Sequence, residues 1–117
     1  MAFEKTKKFM PTDALRDRLR NLEQKVRDNL NDADLRIALG AEYILNDLPE
    51  LGIRQYKLAM DLNPQSCDAY DALFDALNNL KPQVRLSQRA ELDKDILSCV
   101  KAGITNGVYS EDALRFL

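Results

Sequence analysis

Apolar residues recur at helical spacing between about Thr12 and Leu30, with charged residues between them. A segment of this kind has one apolar stripe and one solvated face, as an amphipathic helix does. The stripe consists of Leu15, Leu19, Leu22, Val26 and Leu30. No stretch of the chain alternates apolar and polar residues cleanly, and β-branched residues are sparse. The pattern therefore predicts an all-α protein whose first confident helix is this one.

Capping and turn-forming residues predict five further helices. The expected positions are residues 33–46, 49–62, 67–80 and 87–102, followed by a short helix after Ser110. Asp32 and Ser66 are suited to be N-caps, because their side-chain oxygens can accept the free amide hydrogens of a first turn. Gly103 is expected to end the fifth helix. The connectors are short, so neighbouring helices should pack antiparallel as helical hairpins.

Small and aromatic residues follow a regular spacing in the second and third predicted helices. Residues 36–64 read Arg36-x-x-Leu39-Gly40-x-x-Tyr43, then Gly52-x-x-x-Tyr56-x-x-Ala59, then Pro64. Gly40 and Ala59 leave room for two helices to approach closely, and the tyrosines fill the volume where the helices cross. The first half of this spacing returns 34 residues later, in a series of four apolar or aromatic residues: Tyr70, Leu73, Phe74 and Leu77.

This spacing resembles the tetratricopeptide repeat (TPR) family, whose unit is a 34-residue helix–turn–helix. Arg36 and Gly52 depart from the family, which often has tryptophan and alanine there. The resemblance covers one full repeat and one half repeat. It implies a TPR-like right-handed α-solenoid fragment with capping helices. The repeat core spans about residues 33–80, and C-terminal capping helices span about 87–117 in a single domain of residues 12–117. Fewer than three repeats need such flanking helices to complete a core.

Charge is spread unevenly along the chain and argues against nucleic acid as a partner. The formal net charge is −2, but residues 31–80 hold nine acidic and three basic side chains. A nucleic-acid binder would need a basic face. Neither of the two cysteines lies in a metal-ligand cluster, and two buried thiols in a reduced compartment are expected. With neither a signal peptide nor a membrane span evident, a cytoplasmic location is expected.

The family resemblance implies a groove lined by the first helix of each repeat. The full repeat contributes Asp34, Ile37, Ala41, Ile44 and Leu45. The half repeat contributes Asp68, Asp71, Asp75, Asn78 and Asn79. The three aspartates share one helix face, here called the acidic face, which suits a basic or amphipathic segment of a protein partner. The alternative is a plain solvated surface. Acidic tails are poor ligand candidates.

Three functional hypotheses follow. The first is a non-catalytic adaptor or subunit of a larger protein assembly. The second is a chaperone-type role, in which the groove shields a client segment before assembly or secretion. The third is a small enzyme or regulatory domain on an unrelated helical fold. The sequence holds no histidine, and Ser66, Ser87 and Ser110 stand at predicted helix starts, so we expect no enzyme, cofactor or metal.

The first eleven residues form a basic arm in this interpretation. Lys5, Lys7 and Lys8 are interspersed with the apolar residues Phe3, Phe9 and Met10. The arm is expected to be flexible. The alternative is that it docks, since its charge is opposite to that of the acidic face. Docking on a neighbouring copy or on another protein would give a homo- or hetero-oligomer.

Overall fold

A computed structural model describes residues 12–110 of the protein. This part of the chain is all-helical, as predicted. Five α-helices follow one another: α1 (Asp13–Asp28), α2 (Ala33–Leu45), α3 (Pro49–Leu62), α4 (Cys67–Leu80) and α5 (Leu86–Thr105). A short 3₁₀ helix, Lys81–Gln83, joins α4 to α5. The basic arm and the last predicted helix lie outside the described residues.

The two predicted N-caps, Asp32 and Ser66, are confirmed, and Thr12 forms a third. Thr12 caps α1, Asp32 caps α2 and Ser66 caps α4, each by accepting a hydrogen bond from a backbone amide three residues later. Pro49 occupies the first turn of α3, where a missing amide hydrogen costs nothing. The first helix is shorter than expected, and Leu30 lies beyond it with 58% of its surface exposed. Leu30 therefore does not belong to the buried stripe.

The fifth helix begins one residue before its predicted start and ends three residues after its predicted end. The helix begins at Leu86, and its N-cap Arg85 forms no side-chain capping bond. It also continues past Gly103, which is buried inside the helix. Gly103 is small because the ring of Tyr109 packs directly against it, and an added Cβ would collide with that ring. The chain turns instead at Gly107, where φ is +76°.

The helices α2 and α3 cross through a pair of glycines. A Cβ added at Gly40 would lie 2.6 Å from Cε1 of Tyr56, and one added at Gly52 would lie 2.8 Å from the carbonyl oxygen of Gly40. Arg36, one turn before Gly40, donates a hydrogen bond to Gln55, which follows Gly52 in α3. Earlier residues of α2 therefore meet later residues of α3, and the two helices are antiparallel. Glycine at position 52 is therefore a requirement of the close approach, which explains its departure from the repeat pattern.

Polar contacts hold α1 against α2. Glu42 is only 6% exposed, and its Oε1 accepts a hydrogen bond from Arg18 at 2.5 Å. At the next residue of α2, the hydroxyl of Tyr43 donates a hydrogen bond to Glu23 at 2.7 Å. Burial, followed by this bond, raises the pKa of Tyr43 to about 12. Tyr43 thus contacts the first helix through its polar end.

The main core lies between α3, α4 and α5. Its buried members come from all three helices: Ile53, Tyr56, Tyr70, Leu73, Ala76, Leu77, Ile96 and Cys99. Ile37 of α2 packs against this cluster from the side. Within residues 12–110, no helix is long and apolar enough to cross a membrane.

Candidate functional site

The predicted groove residues of α2 are mostly exposed, but two of them also pack against other parts of the fold. Asp34, Ala41 and Leu45 face solvent, and Ile37 is half-buried against the core. Ile44 is 37% exposed, yet its side chain packs on Gly52. A Cβ added at Gly52 would lie 2.8 Å from Cδ1 of Ile44. Ile44 therefore contributes to the α2–α3 crossing as well as to the surface.

The acidic face of α4 is exposed but is already partly engaged within the chain. Asp71 accepts a hydrogen bond from the hydroxyl of Tyr109 at 2.6 Å. Burial raises the pKa of Tyr109, and the bond to Asp71 raises it further. Asp75 lies near Tyr56, whose pKa is raised by burial and then by this carboxylate. Of the three aspartates, Asp71 is thus the least available to a partner.

The two predicted amide residues at the end of α4 are exposed and form bonds within their own segment. The side chain of Asn78 donates to the carbonyl oxygen of Phe74 at 3.0 Å. The carbonyl oxygen of Asn79 accepts a hydrogen bond from Gln83 at 2.9 Å. The helices α2 and α4 contact each other, so the two predicted sets lie on neighbouring elements.

A cavity that the sequence did not indicate lies among α3, the end of α4 and the first half of α5. Its volume is about 310 Å³, at the lower end of the range for small-molecule pockets. Five apolar side chains form its floor: Ile53, Leu77, Leu80, Val84 and Leu92. Val84 follows the 3₁₀ helix and lies between the predicted fourth and fifth helices, where the sequence predicted no helix.

The polar lining of this α3–α5 cavity is acidic. Glu50, Glu91 and Asp95 supply three carboxylates and Gln88 supplies an amide, and none of the lining residues within 12–110 is basic. Lys57 pairs with Asp95 at 3.8 Å, but both side chains are about half exposed, so solvent weakens the pair. The arrangement joins an apolar floor to a negative rim. That combination can accept an apolar side chain whose neighbours are basic.

The sequence carried only a weak signal for this cavity. Leu77, Leu80 and Val84 recur at steps of three and four, and this recurrence continues past the predicted end of α4. That apolar run indicates a surface shared by the connector and the helix. The partner surfaces on α3 and α5 arise only from tertiary packing.

The two cysteines differ sharply in environment, which corrects the expectation of two buried thiols. Cys67 is exposed and Cys99 is buried; neither forms a disulfide. Burial is the main cause that raises the pKa of Cys99 to about 11, and nearby Asp71 adds to it. Within residues 12–110, no group of three or more metal-ligating side chains could hold a metal ion.

We expect iodoacetamide at about pH 8 to modify Cys67 well before Cys99, because the reactive species is the thiolate. The neutral Cys99 thiol contributes to stability below its ordinary pKa of 9.0, and this contribution is lost as the pH rises through about 11. Peptide mapping by mass spectrometry would measure the two rates. Equal rates in the folded protein, with both sites reactive in urea, would contradict the burial of Cys99.

No family model, curated protein or solved structure matches the chain. The resemblance to the tetratricopeptide repeat therefore rests on the spacing between Arg36 and Leu77.

Proposed function

We propose that the protein is a small TPR-like adaptor or assembly subunit that binds a basic amphipathic segment of a partner protein without catalysis. The observation that carries the proposal is the α3–α5 cavity, with its apolar floor and its three rim carboxylates. In this proposal the main anchoring site lies beside α5, whereas the sequence predicted a groove along α2 and α4.

The chemistry of the cavity favours a particular kind of ligand. Burying one leucine-sized or phenylalanine-sized side chain contributes about 1.5–3 kcal/mol. Basic residues on either side of that anchor would face Glu50, Glu91 and Asp95. Charge complementarity of this type favours fast association and rejects acidic competitors. A lysine-rich or arginine-rich amphipathic helix has both features on one face.

Two observations support the TPR-like part of the proposal. Gly40 lies against Tyr56 where α2 and α3 cross, at the positions where the repeat pattern requires a small residue and an aromatic one. The helix α2 also contacts α4, the first helix of the half repeat. Stacked hairpins bring the first helices of successive repeats together in this way.

A pair of synthetic helical peptides would test the proposal. One carries leucine and lysine on a single face, and the other has glutamate in place of every lysine. We expect only the basic peptide to bind, with an affinity that falls as salt rises. Reversing the rim charge with Glu50→Lys and Glu91→Lys together should weaken binding tenfold or more, which corresponds to about 1.4 kcal/mol.

Asp68→Lys and Asp75→Lys provide the matched control, because they change the net charge equally on the acidic face of α4. If only this control weakened binding, the peptide would bind in the groove predicted from sequence, and the proposed site beside α5 would be wrong. Equal binding of both peptides, or no binding of either by a folded protein, would overturn the proposed ligand chemistry. Circular dichroism would verify that each variant is folded.

A further inference from the structure

Three leucines form a straight stripe along the solvent side of α3. Leu58 and Leu62 lie seven and eleven residues after Leu51, close to two and three full helical turns. Their exposed fractions are nearly identical at 38, 37 and 38%. The buried face of α3 is formed by other residues, namely Gly52, Ile53, Tyr56 and Ala59. This leucine stripe extends about 16 Å along a helix face where polar residues are usual.

The charged residues nearest to the leucine stripe on one flank are one of each sign, and Glu50 and Lys57 lie further round the same side. Arg54 and Asp61 are both exposed and lie seven residues apart, so they share the same side of the helix. Within residues 12–110, neither forms an ion pair. They are too far apart along the helix to pair with each other, since partners in one helix are three or four residues apart. The flank thus offers a cation near one end and an anion near the other.

We propose that the leucine stripe is a self-association face, on which α3 of a second copy packs antiparallel about a two-fold axis. The midpoint between Leu51 and Leu62 falls within one residue of the midpoint between Arg54 and Asp61. One axis through this point therefore sets Leu51 of each copy opposite Leu62 of the other. The same axis sets Arg54 of each copy opposite Asp61 of the other. A two-fold interface requires self-complementarity of this kind.

The charge pattern favours a second copy over an unrelated partner. A basic ligand would be repelled by Arg54 and an acidic one by Asp61, whereas an identical helix in the antiparallel direction satisfies both. The three leucines lie on a different face of α3 from Ile53, which lines the cavity, and Glu50 is not part of either proposed pair. The inference is therefore independent of the proposed ligand. A single helix face buries little area, so we expect a weak dimer that forms only as the concentration rises.

Sedimentation velocity of the full chain, from low to high micromolar concentration, would test this inference. The wild type is expected to shift from monomer toward dimer as concentration rises. Leu58→Glu should abolish the shift. Leu97→Glu is the matched control, because Leu97 on α5 is also 38% exposed but lies outside the stripe. A chain that stays monomeric throughout, or a dimer that survives Leu58→Glu, would overturn the proposal.

A charge exchange tests the antiparallel register itself. Arg54→Asp alone sets a carboxylate at position 54 of each copy opposite Asp61 of the other and should weaken the dimer about tenfold. Adding Asp61→Arg restores opposite charges across the axis and should recover most of the loss, with the monomer verified to be folded. Recovery supports the two-fold pairing, because only that arrangement brings the two positions together. Failure of the double variant to recover would overturn the pairing of Arg54 with Asp61.

Discussion

Replacing Gly40 by leucine is expected to lower the free energy of unfolding by about 2–3 kcal/mol, near the upper end of the cost of overpacking. A Cβ alone would stand 2.6 Å from the ring of Tyr56 and 3.0 Å from the carbonyl oxygen of Gly52. A full leucine side chain must push the two helices apart. Removing a glycine from a helix contributes about 1 kcal/mol of propensity, which is too little to offset the collision.

Thermal unfolding would measure this effect as a fall in Tm of roughly 10–20 °C. Ala41→Leu is the matched control, since it adds the same side chain one residue further along α2 at an exposed position. That control should change stability by less than about 0.5 kcal/mol. Equal midpoints for the two variants would show that α2 and α3 do not cross through Gly40.

The helix ends that could be predicted are those set by residues within one turn. Asp32 and Ser66 accept hydrogen bonds from amides three residues away, so the starts of α2 and α4 can be read from the local sequence. Gly103 gave an equally clear local signal for a helix end, and that signal misled. Its small size is required by Tyr109, which folds back over the helix. Local pattern alone cannot separate a terminating glycine from one that accommodates a packed ring.

The candidate site shows the same division between local and distant causes. Spacing along α4 placed Asp68, Asp71 and Asp75 on one face, because that depends only on helical geometry. The bond from Tyr109 to Asp71 joins residues 38 positions apart. No periodicity in either segment indicates such a bond. The α3–α5 cavity is likewise built from three elements, and its volume depends on how the 3₁₀ turn directs α5.

Tyr70 links more parts of the fold than its place in the repeat pattern indicated. Its side chain is 1% exposed in the main core. The hydroxyl donates a hydrogen bond to the carbonyl oxygen of Pro64 at 3.0 Å and accepts one from Asn106 at 3.0 Å. Its ring meets that of Tyr109 edge to face, with centroids 6.0 Å apart. One residue therefore connects the turn before α4 to the end of α5.

Tyr70→Ala is expected to be the most destabilising single substitution, costing about 3–5 kcal/mol as other buried aromatic truncations do. Tyr70→Phe keeps the packed ring and removes only the hydroxyl, so it should cost about 1–2 kcal/mol. Urea unfolding of both variants would separate packing from hydrogen bonding.

A double-mutant cycle with Asn106→Ala should show coupling of at least 0.5 kcal/mol, because the two side chains are in direct contact. If Tyr70→Ala cost no more than Tyr70→Phe, the ring would not be a core element. If the cycle were additive, the bond between Tyr70 and Asn106 would not hold the end of α5 in place.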